Sequence, residues 1–291
     1  MQRSRPRVTR FGYAPDMPPR MVLLAPVLLL LAGCDTISSD LSQFTQSFTP
    51  PSPAEAARWA ADPNDRENAR RGTILLANAP WGGTEAYVKM YRLYAEDALD
   101  PLVRAAALQA LARHGEPSDA PLVAKSLASP FRQVRLAAAK ALQRLHDPTV
   151  ADALWTRLVN GEDDADVRTE IAIALGQYPT NSVFNALVAA LSQRELAVNT
   201  AALDSLRQIT GANLPLDEDA WLKHMATASP PLLAEPLYIY PTFARDLDIW
   251  DRLAFWDPVV FEPPDVPVGM KVMGVKRTDE LRRASDAGTG K

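Results

Sequence analysis

Val134-Arg135-Leu136-Ala137-Ala138-Ala139-Lys140-Ala141-Leu142 is one copy of a pattern that occurs four times in this chain. The others are Val103-Arg104-Ala105-Ala106-Ala107 closing on Ala110-Leu111, Val167-Arg168 closing on Ala174-Leu175, and Val198-Asn199 closing on Ser205-Leu206. Their valines stand 31, 33 and 31 positions apart, and in every copy the leucine follows the Arg or Asn by seven. Val, small residues at three- and four-residue steps, and Leu share one face of a helix, and the small side chains let a neighbouring helix approach closely.

A second apolar stripe follows each first one: Leu122, Val123 and Leu127; then Ala153, Leu154 and Leu158; then Val183, Leu187 and Leu191. Turn formers separate the two helices of a pair, at His114-Gly115-Glu116-Pro117-Ser118-Asp119, at His146-Asp147-Pro148-Thr149 and at Pro179-Thr180-Asn181-Ser182. No stretch ahead of the tail alternates with period two, so strands are not expected there. A single pair of helices cannot bury its own apolar face, so a tandem array must stack into one continuous core.

This pattern resembles HEAT repeats, above all the short bacterial form also seen in phycobilisome-lyase-like proteins. The resemblance is strongest over residues 99–209. Asp65 to Asn78 and Ala86 to Ala95 look like a divergent first repeat, and Ile209-Thr210-Gly211 with Asp217 and Trp221 looks like a terminal one. The expected fold is all-α: an α-α superhelical solenoid of about five HEAT-like repeats over residues 55–228, followed by a Pro/aromatic-rich irregular arm over 229–270 and a polar tail over 271–291.

Upstream the chain changes character. Arg3, Arg5, Arg7, Arg10 and Arg20 precede an apolar run from Met21 to Ala32, broken only by Pro26. The run is well short of the ~20 residues that cross a bilayer as a helix. A basic flank, a short apolar core and small residues at its end describe an export signal over residues 1–33, with Met17 the expected start of translation. Leu31-Ala32-Gly33-Cys34 is similar to the lipobox of bacterial lipoproteins. That resemblance implies cleavage before Cys34 and attachment of diacylglycerol and an N-acyl chain to it, with no other cofactor. Cys34 is the only cysteine of the chain, so its acylation would leave no thiol for disulfides, metal ligation or catalysis. Residues 34–54, rich in Ser, Thr, Gln and Pro, read as a tether.

Removing the five Arg and the one Asp of residues 1–33 from 31 basic and 35 acidic residues leaves 26 against 34, a net charge of −8. Such a body is poorly suited to nucleic acid, which demands clustered Lys and Arg. The three histidines, His114, His146 and His224, form no His-Glu-x-x-His pair. The acidic runs Glu162-Asp163-Asp164-Ala165-Asp166 and Asp217-Glu218-Asp219 lack the Gly and distal Glu of a calcium loop, and each precedes a helix, where it is expected to cap. Arg104, Arg135 and Arg168 recur with the repeat and are expected to pair with Asp residues between repeats.

The functional expectation is a non-catalytic scaffold, held on a bacterial membrane by lipidated Cys34, its body facing the periplasm and binding a protein of the cell envelope. The resemblance to HEAT families implies that the second helices form the concave side, which makes Trp155, Arg157, Asn185 and Lys125 the expected partner-binding residues. A bilin-lyase-like HEAT enzyme or chaperone, and a purely structural envelope component, are the alternatives. In the arm, eight prolines interleave with Tyr238, Tyr240, Phe243, Trp250, Phe255, Trp256 and Phe261. Proline excludes a long helix there, although a short one over 244–255 is compatible. Aromatics at this density point to an arm that folds onto the last repeat or onto a partner.

Overall fold

The computed structural model describes residues 51–79, 81–161, 163–242 and 264–271. The leader, the Leu31-Ala32-Gly33-Cys34 motif, the tether to residue 50, the helix expected over 244–255 and the tail beyond 271 lie outside the described residues. Those described belong to one compact unit.

Eleven α-helices are found among them: α1 (Pro53–Ala60), α2 (Arg66–Asn78), α3 (Glu85–Asp97), α4 (Pro101–His114), α5 (Ala120–Lys125), α6 (Arg132–Leu142), α7 (Ala151–Asn160), α8 (Ala165–Leu175), α9 (Asn181–Ala190), α10 (Leu196–Thr210) and α11 (Glu218–Thr227). From α2 onward they form five consecutive pairs. Among the described residues, extended backbone pairs only in a parallel bridge between Leu145 and Val268 and an antiparallel one between Tyr240 and Asp265. The fold is a HEAT-like α-α solenoid.

Local chemistry explains the helix limits. Asp65, Asp100, Thr180 and Asp217 each accept a hydrogen bond from a backbone N–H in the first turn that follows. Gly161 ends α7 in the left-handed region at φ 67°, where a side chain would be strained. Helix α5 is short, six residues flanked by 3₁₀ turns at Pro117–Asp119 and Ser126–Ala128. Helix α1 was not expected, since the tether was taken to reach residue 54. Ser52 caps it through the N–H of Glu55, with Pro53 at its first position. It crosses α2 so closely at Gly72 that a methyl group there would strike the backbone of Ala60 and Ala56.

The repeating positions are the core. Leu111, Leu142, Leu175 and Leu206 are fully buried, as are Val134, Val167 and Val198; Leu127, Leu158 and Leu191 line the second layer from inside. Leu122, expected on that stripe, is only partly buried. The alanine-bearing helices α2, α4, α6, α8 and α10 run alongside one another in unbroken series, whereas α3, α5 and α11 meet their own-layer neighbours over short stretches. The alanine-bearing layer is the more continuous of the two; it is termed the inner layer, and the second helices the outer. The physical reason is residue size: Ala137, Ala138 and Ala141 hold backbones closer together than leucine and tryptophan can.

The arm was expected along the last repeat. It begins there and continues back across the ends of two further inner helices. Leu233 N–H donates to the Ile209 carbonyl at the end of α10 (2.8 Å). Tyr238 is wholly buried beside Gly176, just past α8. The Tyr240 ring lies 4.8 Å from the Arg144 guanidinium, just past α6. Val268 then donates to the Arg144 carbonyl (2.7 Å) and accepts from His146 N–H (2.8 Å). Each inner helix ends in carbonyls without an intrahelical donor, and the arm supplies donors at Ile209 and Arg144.

Candidate functional site

Helices α2, α4 and α6 enclose a groove of about 230 Å³ on the inner layer. Its floor is Ala105, Ala106 and Ala137; Ile74, Leu102 and Leu136 form apolar walls; Arg70, Gln109, Gln133 and Lys140 supply its polar groups. The small floor residues are those that let the helices come together, so the feature that builds the stack also hollows its inner face. Arg70 holds Glu67 one turn away at the surface (2.6 Å), and Lys140 approaches the half-buried Glu170 (3.5 Å).

The four expected partner-binding residues lie on the outer helices and line neither this groove nor one another. Trp155 is partly buried against the core and donates through Nε1 to Asp152 (2.8 Å). Arg157 is held by the buried carboxylate of Asp163, with Nη2 3.2 Å from Oδ1. Asn185 is exposed on α9, and Lys125, exposed on α5, stands 3.5 Å from Glu96. Arg157 is thus an ion-pair partner and Trp155 largely a packing residue. Trp155→Ala is expected to lower stability by ~1–2 kcal/mol, less than a fully buried aromatic would, and to leave binding in the inner groove unchanged. Chemical denaturation together with a binding titration checks both halves.

In the first acidic run Asp164 stands at the N-cap of α8 without a side-chain bond to its N–H groups, and Asp166 lies in the first turn, where it complements the helix dipole. The run also forms an ion-pair node. The Asp163 side chain, 2% exposed, lies 2.7 Å from Arg135 Nε and also holds Arg157; Asp164 holds Arg135 (3.0 Å) and Asp166 holds Arg132. The second run behaves as expected, with Asp217 capping α11. The recurring arginines share something other than an Asp partner: each reaches a carbonyl near the end of the preceding outer element. Arg104 donates to Ala95 O (3.4 Å), Arg135 to Ser129 O (2.9 Å) and Arg168 to Asp163 O (3.0 Å); Asn199 does the same at Gln193 O (3.0 Å). Helix ends leave those carbonyls without donors, and a long cationic side chain satisfies them. Arg168 also pairs with Glu195 (2.8 Å), an acid but not the expected Asp.

A second cavity, about 350 Å³, lies between the arm and the turns at His146–Pro148 and Gln177–Thr180. The His146 ring stacks on Tyr178 (centroids 5.1 Å apart) and its Nδ1 faces Gln177 Oε1 at 3.3 Å. Burial holds the imidazole pKa below its ordinary value and raises that of the Tyr178 phenol. His114, in the equivalent position two helices earlier, bonds through Nε2 to Ala77 O (2.8 Å). Both histidines join neighbouring repeats. Among the described residues no group of three or more His, Asp or Glu is placed to hold a metal, and no helix is long and apolar enough to cross a membrane.

Residues 91–176 match the family model described as HEAT repeats. Among solved structures, the complex of CpcE and CpcF of phycocyanin lyase from Nostoc sp. PCC7120 is similar, with a TM-score of 0.50 and 22% identity over 61% of this chain and 71% of that one. Human deoxyhypusine hydroxylase in complex with glycerol aligns with a TM-score of 0.39 and 22% identity, over 53% of this chain and 60% of its own. A comparison with curated protein sequences finds no match. At its centre, over residues 91–176, this chain is similar to the HEAT-repeat proteins, and its architecture is theirs.

Proposed function

We propose that the chain is a lipid-anchored, non-catalytic scaffold of the bacterial cell envelope, its solenoid facing the periplasm and holding another protein along the inner helix layer. The observation that carries this reading is the groove across α2, α4 and α6, built from side chains of three successive repeats. A surface assembled from repeats suits an extended protein segment, because each repeat contributes one step of a continuous track. The anchor rests on the Leu31-Ala32-Gly33-Cys34 motif. Each buried CH₂ of an acyl chain contributes about 0.8 kcal/mol, so two or more chains hold a protein stably on a bilayer.

Two measurements on the full chain test the two parts. Cys34→Ser should abolish incorporation of labelled palmitate and move the protein from the membrane to the soluble fraction; unchanged fractionation would remove the anchor. A photo-crosslinking residue at Gln109, inside the groove, should yield one discrete protein adduct in intact cells, while the same residue at exposed Asn185 should not. Equal adducts from both positions, or none from Gln109, would remove the scaffold reading.

A further inference from the structure

The chain carries excess negative charge, yet its charges are unevenly placed along the inner layer. Helices α2, α4 and α6 together carry eight Arg or Lys against one acid, Glu67, whereas α8 and α10 carry three acids and two bases. The groove lies over the cationic half. Several of these cations are committed within the fold: Arg132 and Arg135 to the Asp163–Asp166 node, and Arg113 to Asn78 (2.8 Å). At the groove itself, Arg70 and Lys140 have side chains 32% and 53% exposed; Arg70 faces the exposed Glu67, and Lys140 the half-buried Glu170 at 3.5 Å. Surface pairs such as the first are weak and exchange readily with an incoming carboxylate.

We infer that the groove binds an acidic segment of a partner protein, with Asp or Glu side chains set against Arg70 and Lys140 and an apolar side chain lodged between Ile74, Leu102 and Leu136. The inference rests on the scaffold reading and specifies the partner's chemistry. Charge complementarity selects an anion, and the floor selects its class. No aromatic side chain lines the groove, so nucleobases find no stacking platform. A carboxylate-bearing chain with apolar residues satisfies both the walls and the rim. The acidic residues of α8 and α10 beyond the groove give the track a polarity, so that the acidic end of the segment lies toward α2.

The test is fluorescence anisotropy on the full chain in detergent. The probe is a short fluorescein-labelled peptide alternating Glu with Leu; the controls are the same peptide with Lys for Glu, the same with Ser for Leu, an oligothymidylate, and phosphatidylglycerol vesicles. The acidic peptide should bind and weaken with added salt. Lys140→Glu should lower its affinity about tenfold or more, equivalent to one lost and reversed charge contact, and Leu102→Ala should weaken it without altering salt dependence. Both positions are exposed, and unchanged circular dichroism would show that the variants fold. Equal binding of the lysine peptide, failure of Lys140→Glu to reduce affinity, or tighter binding of the oligonucleotide or vesicles at the same residues would overturn the inference. If the peptide fails while Gln109 still crosslinks to a discrete protein, the partner's chemistry is wrong and the scaffold stands. If both fail, the scaffold falls with it.

Discussion

Leu142→Asp is expected to unfold the middle of the solenoid. The side chain is wholly buried in the last turn of α6. It lies among core residues of both layers, and its own carbonyl accepts a hydrogen bond from Gln177 Nε2 in the next repeat (2.9 Å). Removing the leucine alone, as in Leu142→Ala, should lower stability by about 2–5 kcal/mol. The carboxylate adds desolvation of a charge with no partner, which takes the total toward the whole stability of an ordinary domain, about 5–15 kcal/mol. In a linear stack each repeat leans on its neighbours, so α4 and α8 should lose structure together with α6. Thermal and urea melts followed by circular dichroism would show it. Wild-type helicity and an unshifted melt would mean that Leu142 does not belong to the core.

The second large effect is expected at Asp163. This carboxylate stands between Arg135 on α6 and Arg157 on α7, and its backbone carbonyl receives Arg168 on α8. Asp163→Ala leaves Arg135, whose side chain is 14% exposed, without its closest countercharge. Breaking a buried pair from one side destabilises by about 3–5 kcal/mol. Replacing Arg135 and Asp163 together, Arg135→Met with Asp163→Leu, should recover part of that loss, because the apolar pair carries no desolvation penalty while Arg157, 32% exposed, still loses its carboxylate. A double-mutant cycle in urea separates the two. A single Asp163→Ala variant as stable as the parent would show that Asp164 carries the pairing by itself.

The interval of the Val-Arg-Ala-Leu pattern made the solenoid legible, because burial on a helix leaves a periodic trace in residue type. Val134, Leu142 and Leu158 lie in the core as their spacing requires. Helix α1 was missed, because its capping sequence Ser52-Pro53-Ala54-Glu55 sits inside a proline-rich stretch that reads as tether. The local partners of Trp155 and Arg157 were not legible, because their contacts with Asp152 and Asp163 depend on the fold. The roles of Asp163 and Asp164 could not be read from order alone. An acid before a helix suits both a cap and an ion pair, and the choice depends on Arg135, 28 positions upstream of Asp163, reaching across a repeat boundary. The path of the arm was equally hidden, since buried Tyr238 and exposed Leu237 and Ile239 are all apolar by composition and only the fold distinguishes them.

That arm changes how the array comes apart. A row of helix pairs joined only to next neighbours frays from its free end, one unit at a time, because nothing distant opposes the loss of the last. Here backbone bonds from Leu233 and Val268 fasten the terminal pair and the third pair to two stretches of the arm that are themselves joined by the Tyr240 N–H to Asp265 carbonyl bond. Peeling the terminus therefore pulls on the centre, and a modular row behaves, over its last three units, as a closed loop that opens as one.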